Sequence, residues 1–350
     1  MSNIRIKNIY YMLSYIYKSL TENRFASLDV EEFDNMANLC AGILAIGLTM
    51  QIKRGLIREY LDNTEEMSSI KGKLEVAQCI KRQSLQVGKA VCSYNEYTEN
   101  ILLNQILKTT AMILLKCDEV KADNKKTLKK SLVFLDGVSP INDMKHISWK
   151  SIKYNQNNST YKMLVNICYL VINSLLMSQS GGEYKMREYV DEMHMHKLYE
   201  KFVLEYFRKE HPKLRANADA IAWQLGNDFN LYLPAMQTDI TLHYQGNTLI
   251  IDTKYYTNGT PLAMNSQYGN QTLHSGNVYQ IFTYVKNVEQ KSGGKVAGCL
   301  LYAKNENVKD LDLPYNICGN DIMVKTLDLD KNFKLIRDQL DELAKYIYEL

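Results

Sequence analysis

The chain has 350 residues, 46% of them apolar and 23% charged, with a formal net charge of +3. That composition is ordinary for a globular protein that buries its cores without disulfide or metal staples, and the length predicts two domains. A charge so near balance excludes a chain that is basic throughout, so any nucleic-acid surface must be local.

Seven cysteines, at 40, 79, 92, 117, 168, 299 and 318, form no C-x-x-C pair and show no pairing rhythm. Reduced thiols and a cytoplasmic location are expected. The N-terminus, MSNIRIKNIYYMLSYIYKSL, has neither the pure apolar run nor the cleavage site of a signal peptide. The longest apolar stretch, Leu39 to Met50, reads as too short to span a bilayer, so a soluble chain with no membrane partner is expected. Tyrosine is abundant, at 25 residues against 8 Phe and 2 Trp. It is read as core-edge packing, with rings buried and hydroxyls wet.

In chain order, Ile4 to Leu20 places Ile9, Met12, Leu13, Ile16, Tyr17 and Leu20 at helical spacing. Val30 to Lys53 reads as a longer helix. RGLIREYLDNTEEMSSIKGKLEVAQCIKRQ then breaks into short alternating runs, with turns at Asp62-Asn63 and Lys71-Gly72-Lys73, and reads as a strand-rich insert. Helices are predicted over Glu99 to Lys116 and over DEVKADNKKTLKKSLVFL. The second has a basic face of Lys125, Lys126, Lys129 and Lys130, which either meets DNA or, as the more common case, is solvated. The polar run SIKYNQNNS, Ser151 to Ser159, reads as a linker dividing an N-terminal domain, residues 1–155, from a C-terminal domain, residues 156–350.

Beyond it come helices at Tyr161 to Leu176 and about Met195 to Glu210. Strands follow at Ala220 to Leu225, Asp239 to Tyr244 and Thr248 to Tyr255. A long loop, Thr257 to Gly276, is expected to lie over the substrate. A helix at Asn277 to Val288, a buried strand at Gly298 to Ala303 and a helix at Asp330 to Tyr348 complete the chain. The fold class expected is α+β, mostly helical with a strand-rich insert, followed by an α/β domain.

The chemistry concentrates in LYLPAMQTDITLHYQGNTLIIDTKYYT, two strands about Tyr244-Gln245-Gly246-Asn247 that carry Asp239, Asp252 and Lys254. Residues two apart on a strand share a face, so Asp252 and Lys254 do. A turn at Gln245-Gly246 sets Asp239 opposite Asp252; a turn one residue later sets it opposite Lys254. In either register three charges converge. Opposed carboxylates repel, and a hard cation such as Mg²⁺ resolves the conflict. Held by Asp239 and Asp252, it would polarise a phosphodiester and acidify a water, with Lys254 orienting the nucleophile or stabilising phosphorane charge.

A carboxylate followed a dozen residues later by D-x-K is the layout of PD-(D/E)-x-K nucleases. The usual proline is displaced here: Pro234 lies upstream and Thr238 precedes Asp239. The bland alternative is a hairpin end with an Asp239–Lys254 salt bridge. Glu200, flanking the apolar face of Leu198, Phe202, Val203 and Tyr206, is either a third metal ligand or a solvated glutamate. Gln280 and Tyr284 lie four apart on one helix face, in the Q-x-x-x-Y pattern of one branch of these nucleases. His194 and His196 diverge at a spacing of two and are given no metal role. The mixed Trp149, Tyr154, Tyr161 and lysine run around 146–162 reads as linker.

LPAMQTDI, LIIDTKYY and NVYQIFTYV, with KNIYYMLSYIY, IKGKLEVAQCIK and LYEKFVLEYF, resemble the McrC family, the endonuclease subunit of modified-cytosine-specific McrBC restriction systems. The resemblance implies catalysis by Asp239, Asp252 and Lys254, with Glu200 and Gln280 as accessories and Mg²⁺ as cofactor. It implies two partners: a McrB-like hexameric AAA+ GTPase that the N-terminal domain stimulates, and double-stranded DNA containing modified cytosine. Cutting both strands implies a dimer of nuclease domains or paired complexes. No G-x-x-x-x-G-K-[ST] loop occurs, and SGGKVAG lacks that spacing, so GTP hydrolysis is expected from the partner. The motor contact is expected in Gly55 to Ser93. The alternatives are a non-catalytic activator of the motor and a stand-alone nuclease.

Overall fold

The computed structural model describes residues 4–17, 20, 25, 33–154, 159–178, 192–226, 231–256, 261–264, 271–290, 292–304 and 310–350. It is a mixed α/β structure that packs as two compact units. One, here the sheet unit, combines Met1–Met36 with Arg187–Leu350; the other, the inserted unit, is Ala37–Met186. Packing therefore divides the chain at 36/37 and 186/187 rather than at the expected 155/156. The polar run at 151–159 is no boundary, because Trp149 packs edge-on to Tyr169 at 4.7 Å, within the inserted unit. Residues 155–158 of that run lie outside the described residues.

The inserted unit contains α2 (Met36–Arg54), β1 (Glu59–Met67), β2 (Lys73–Leu74), α3 (Val76–Arg82), β3 (Ala90–Thr98), α4 (Leu102–Lys116), α5 (Ala122–Val133) and α6 (Ser159–Ser178). By length and composition α2 could cross a membrane, contrary to the expectation from Leu39 to Met50, but 78% of its apolar window is buried inside the protein. It is a core helix. The strand-rich insert is an antiparallel sheet in the order β1-β3-β2, with α3 where strand and turn were expected. Tyr161 holds its base: the hydroxyl donates to Asn104 Oδ1 at 2.9 Å and accepts from Ile57 N at 3.2 Å.

In the sheet unit, α1 (Ile6–Ile16) packs on α7 (Glu192–Glu210). Buried Asn8 donates to Leu329 O at 2.6 Å and Lys331 O at 2.8 Å, and Tyr15 donates to Glu210 at 2.8 Å. A short pair, β4 (Ala220–Ile221) and β5 (Met236–Gln237), precedes the hairpin β6 (Ile240–Tyr244) and β7 (Asn247–Lys254). Then come β8 (Leu262–Met264), β9 (Gln271–Leu273), α8 (Ser275–Glu289), β10 (Val296–Lys304), β11 (Asp312–Ile317), β12 (Asn320–Asp328) and α9 (Phe333–Glu349).

The main sheet has the order β11-β12-β10-β7-β6. β7, β10 and β12 run parallel, and β6 and β11 are antiparallel edges. The parallel strands are almost wholly buried, as strands covered on both faces must be. Strands β11 and β12 were not expected from the sequence. Within the expected long loop, β8 and β9 form an antiparallel pair; residues 257–260 and 265–270 lie outside the described residues.

Helix α8 connects β7 to β10 and covers one sheet face. Ile281, Tyr284 and Val285 pack there with Ile250, Leu300, Tyr302 and Val324. The approach is close because β10 carries Gly298 beneath the helix. A Cβ at that position would stand 2.8 Å from Ile281 Cγ1 and 2.9 Å from Ile322 Cδ1. Gly298→Ala is therefore expected to lift α8 and cost about 1–3 kcal/mol, as overpacking does. Chemical denaturation of the variant beside the parent chain measures it.

Candidate functional site

The hairpin turn fixes where the charges fall. Gln245 and Gly246 both take positive φ, 48° and 89°, the mirror-image turn that suits strand twist. Tyr244 pairs with Asn247 and Ile240 with Ile251. This is the first of the two possible registers. Asp239, just before β6, therefore stands on the continuation of the ladder at the level of Asp252.

Asp252 is 1% exposed. Lys254 Nζ approaches its Oδ2 to 2.6 Å as an ion pair, yet neither carboxylate oxygen has a hydrogen-bond partner of sound geometry. Burial pushes the Asp252 carboxyl up to about 6, the Lys254 ammonium pulls it back, and the Asp239 charge pushes it up again. Lys254 is itself mostly buried. Its ammonium donates to Gln280 Oε1 at 3.1 Å, and Gln280 Nε2 donates to Tyr284 OH at 3.0 Å. The face of α8 thus sets the orientation of the Gln280 amide, and the amide steadies the ammonium beside Asp252.

Asp239 is held differently. Its Oδ2 accepts from Thr253 N at 2.7 Å and from Thr253 Oγ1 at 2.8 Å. Glu200, on α7, is raised to about 7. Burial is the largest cause, Asp239 the next, and the nearby Lys201 and Lys197 oppose it; Asp252 adds a smaller push. The Asp239 charge thus raises both Glu200 and Asp252, as like charges near one another do. As placed, however, the described residues contain no group of three or more His, Cys, Asp or Glu side chains able to hold a metal ion.

The structure therefore brings Asp252, Lys254 and Gln280 into direct contact, with Asp239 at the adjacent ladder position and Glu200 within electrostatic reach. His196, which had been given no role, lies one turn before Glu200 with Nδ1 3.9 Å from Oε2. The side chain of His194 lies outside the described residues.

Sequence reasoning missed Thr253, the residue that orients Asp239. It also missed Asn277, whose amide donates to Tyr256 OH at 3.0 Å and Tyr302 OH at 2.9 Å. Asn277 stands three residues before Gln280 on the same helix, and that spacing was the available signal. The arrangement sets a buried carboxylate with unpaired oxygens beside a fixed ammonium.

A family model described as McrBC 5-methylcytosine restriction system component matches residues 3–303. The type IV methyl-directed restriction enzyme EcoKMcrBC of Escherichia coli (strain K12) is 29% identical over 345 residues, covering 96% of each chain. A half-complex refined from the tetradecameric assembly of Thermococcus gammatolerans McrB AAA+ hexamers with bound McrC aligns over 96% of this chain and 76% of its own, with TM-score 0.48 and 16% identity. The cryo-EM structure of the T. gammatolerans McrBC complex aligns over 58% of each chain, with TM-score 0.40 and 19% identity.

The raised Glu200 carboxyl has a measurable consequence. A group whose folded pKa exceeds its unfolded value keeps its proton in the fold, so stability falls as pH rises from the unfolded value through the folded one. Glu200→Gln mimics the protonated form. In metal-free protein it should match the parent below 4.5, gain stability as pH rises, and level off above about 7. The plateau is about 2 kcal/mol after allowance for solvent screening. Thermal unfolding of both chains in chelator across this pH range tests the sign and the window.

Proposed function

The chain belongs to the McrBC 5-methylcytosine restriction system component family, and on that premise we propose that it is the DNA-cutting subunit of such a system. In this reading the sheet unit is a PD-(D/E)-x-K endonuclease that hydrolyses DNA phosphodiesters with Mg²⁺. The inserted unit engages and stimulates a McrB-like hexameric AAA+ GTPase. The observation that carries the reading is Asp252: a buried carboxylate with both oxygens unbonded, an ammonium at 2.6 Å and a second carboxylate at the next ladder position.

The donor set fits a hard divalent cation, because acceptor-only oxygens, buried and mutually repelling, are what Mg²⁺ relieves. Asp239 and Asp252 would hold it, and Glu200, which as placed forms no three-carboxylate group with them, would have to close in to serve as a third ligand. When bound, the ion would polarise the scissile phosphate and acidify a water. The chain's own groups do the rest. Lys254 Nζ, fixed between Asp252 and Gln280, lends positive charge to the pentacoordinate phosphate and orients the attacking water. Gln280 and Tyr284 hold that ammonium in place, and Thr253 holds the Asp239 carboxylate. Burial of Asp252 keeps bulk water from competing for its oxygens.

GTP hydrolysis falls to the partner, since the chain has no G-x-x-x-x-G-K-[ST] loop. The docking surface is placed on the inserted unit, where Tyr60, Ile70, Ile80, Leu85, Val87 and Tyr97 are all more than half exposed. Tyr60 and Tyr97 pair across β1 and β3, with ring centroids 4.8 Å apart. An exposed aromatic pair of this kind is the anchor a protein interface uses.

A plasmid carrying 5-methylcytosine, incubated with Mg²⁺, GTP and the motor, separates this reading from its rivals. The parent chain should cut. Asp252→Ala should lose at least about 10²-fold in cutting rate while still stimulating GTP hydrolysis. Undiminished cutting by the variant would end the catalytic assignment. Stimulation with no cutting by the parent would leave an activator alone, and cutting without the motor would mean a stand-alone nuclease.

For the docking surface, Tyr60→Ala combined with Tyr97→Ala should lower GTPase stimulation at least about 10-fold, as removal of aromatic anchors does. Cutting per unit of bound motor should be unchanged. A titration of motor against each chain reads both.

A further inference from the structure

Charge is divided unequally between the two units. Residues 37–186 carry 20 Lys and Arg against 13 Asp and Glu, a formal +7, while the remaining residues carry 22 against 26, a formal −4. The unit that bears the carboxylate site is the acidic one. A polyanion gains little long-range attraction from such a surface.

The inserted unit's excess is concentrated on α5. Leu128, Ser131 and the following Leu135 are buried and set the inward face. The opposite face presents Lys126, Lys129 and Lys130 to solvent, with Lys125 half-buried at its margin. Lys126 and Lys130 are separated by about 6 Å of helix rise. Among the described residues none of these four ammonium groups meets a carboxylate: the unit's ion pairs lie elsewhere, at Arg58–Glu99, Lys73–Glu75 and His146–Asp143.

The stripe ends on Val133 and Phe134, which are 72% and 65% exposed. Its base is firm, because Lys108 Nζ donates to Leu135 O at 3.0 Å and Val138 O at 2.7 Å, tying down the turn that follows α5. Lysines clustered along one helix face without carboxylate partners are the electrostatic footprint of a nucleic-acid surface.

We propose that the lysine face of α5 is a sequence-independent DNA-binding surface that grips the phosphate backbone of duplex DNA. The inference rests on the reading that the chain acts on DNA, but not on its cutting. The sheet unit supplies the hydrolytic groups, and the inserted unit supplies the hold.

The test is binding of the full-length chain to a short labelled unmethylated duplex without divalent cation, followed by anisotropy over a salt series. Replacing Lys125, Lys126, Lys129 and Lys130 together by Gln keeps helix propensity and removes only charge. The slope of log affinity against log salt should fall in magnitude by about 3 to 4, near 0.9 for each phosphate that a lysine no longer neutralises. Arginine at the same positions should restore it. The pair Lys126→Gln with Lys130→Gln should lose about half as much, and serves if the fourfold variant melts early. An unchanged slope overturns the proposal. So does unchanged DNA affinity with lost GTPase stimulation, which would assign the face to an acidic protein surface. Plasmid cutting by the parent chain, abolished by Asp252→Ala, stands or falls apart from either result.

Discussion

The structure of the candidate site depends on one unfavourable fact: a carboxylate, Asp252, is taken out of water with no hydrogen bond to either oxygen. Burial of an ion that poorly satisfied normally neutralises it or removes it. Here its charge is balanced in part by a single ammonium, and Asp239 makes the balance worse. The surrounding architecture can be understood as what is needed to keep that arrangement in place. A parallel strand buried on both faces delivers Asp252 and Lys254 on one face. The type of turn fixes Asp239 at the matching level. A helix seated closely over Gly298 brings Gln280 to the ammonium.

The same reasoning explains why the polar neighbours of the site are second-hand. Thr253 points its hydroxyl and its amide at Asp239 and at neither of the flanking charges. Asn277 gathers Tyr256 and Tyr302, the latter paired in the ladder directly with Lys254. Thr253 fixes a charged group directly, and Asn277 fixes the neighbour of one. Sites that must hold reacting atoms within fractions of an ångström need such support, because a loose ammonium would collapse fully onto the nearest carboxylate. Where Lys254 is bound on two sides, it stays directed.

The hairpin was legible in the sequence because period-2 burial and a Gln-Gly turn are local signals. Its register was not, since both alternatives satisfied the same apolar pattern until the φ values at 245 and 246 were known. Strand β11 was invisible for a physical reason: Pro314 lies within an exposed edge strand, and such strands carry little hydrophobic pattern. Strand β12 is buried, but Asp321, Lys325 and Asp328 break its apolar run. Helix α3 was hidden because Val76 and Ile80, its apolar pair one turn apart, face outward. The division into units was the least readable feature. Nothing local says that α1 packs on α7 across most of the chain, or that α6 remains with α4. In the site, Asp252, Lys254 and Gln280 followed from strand and helix spacing. The raised carboxyl of Glu200 did not, because it arises from burial and from a charge on another element.

Separating the two functions by charge follows from the chemistry itself. Asp239, Asp252 and Glu200 repel a polyanion at long range, and a formal −4 on the unit around them adds to that repulsion. Adding lysines near the site would draw DNA in, but each would also pair with a carboxylate and compete with the cation. The basic residues of α5 are instead carried by the other unit. Among the described residues the α5 lysines meet no carboxylate, while in the sheet unit acids outnumber bases by 26 to 22. On this view the insertion of residues 37–186, formally +7, into a sequence that is otherwise formally −4 gives one chain two electrostatic environments.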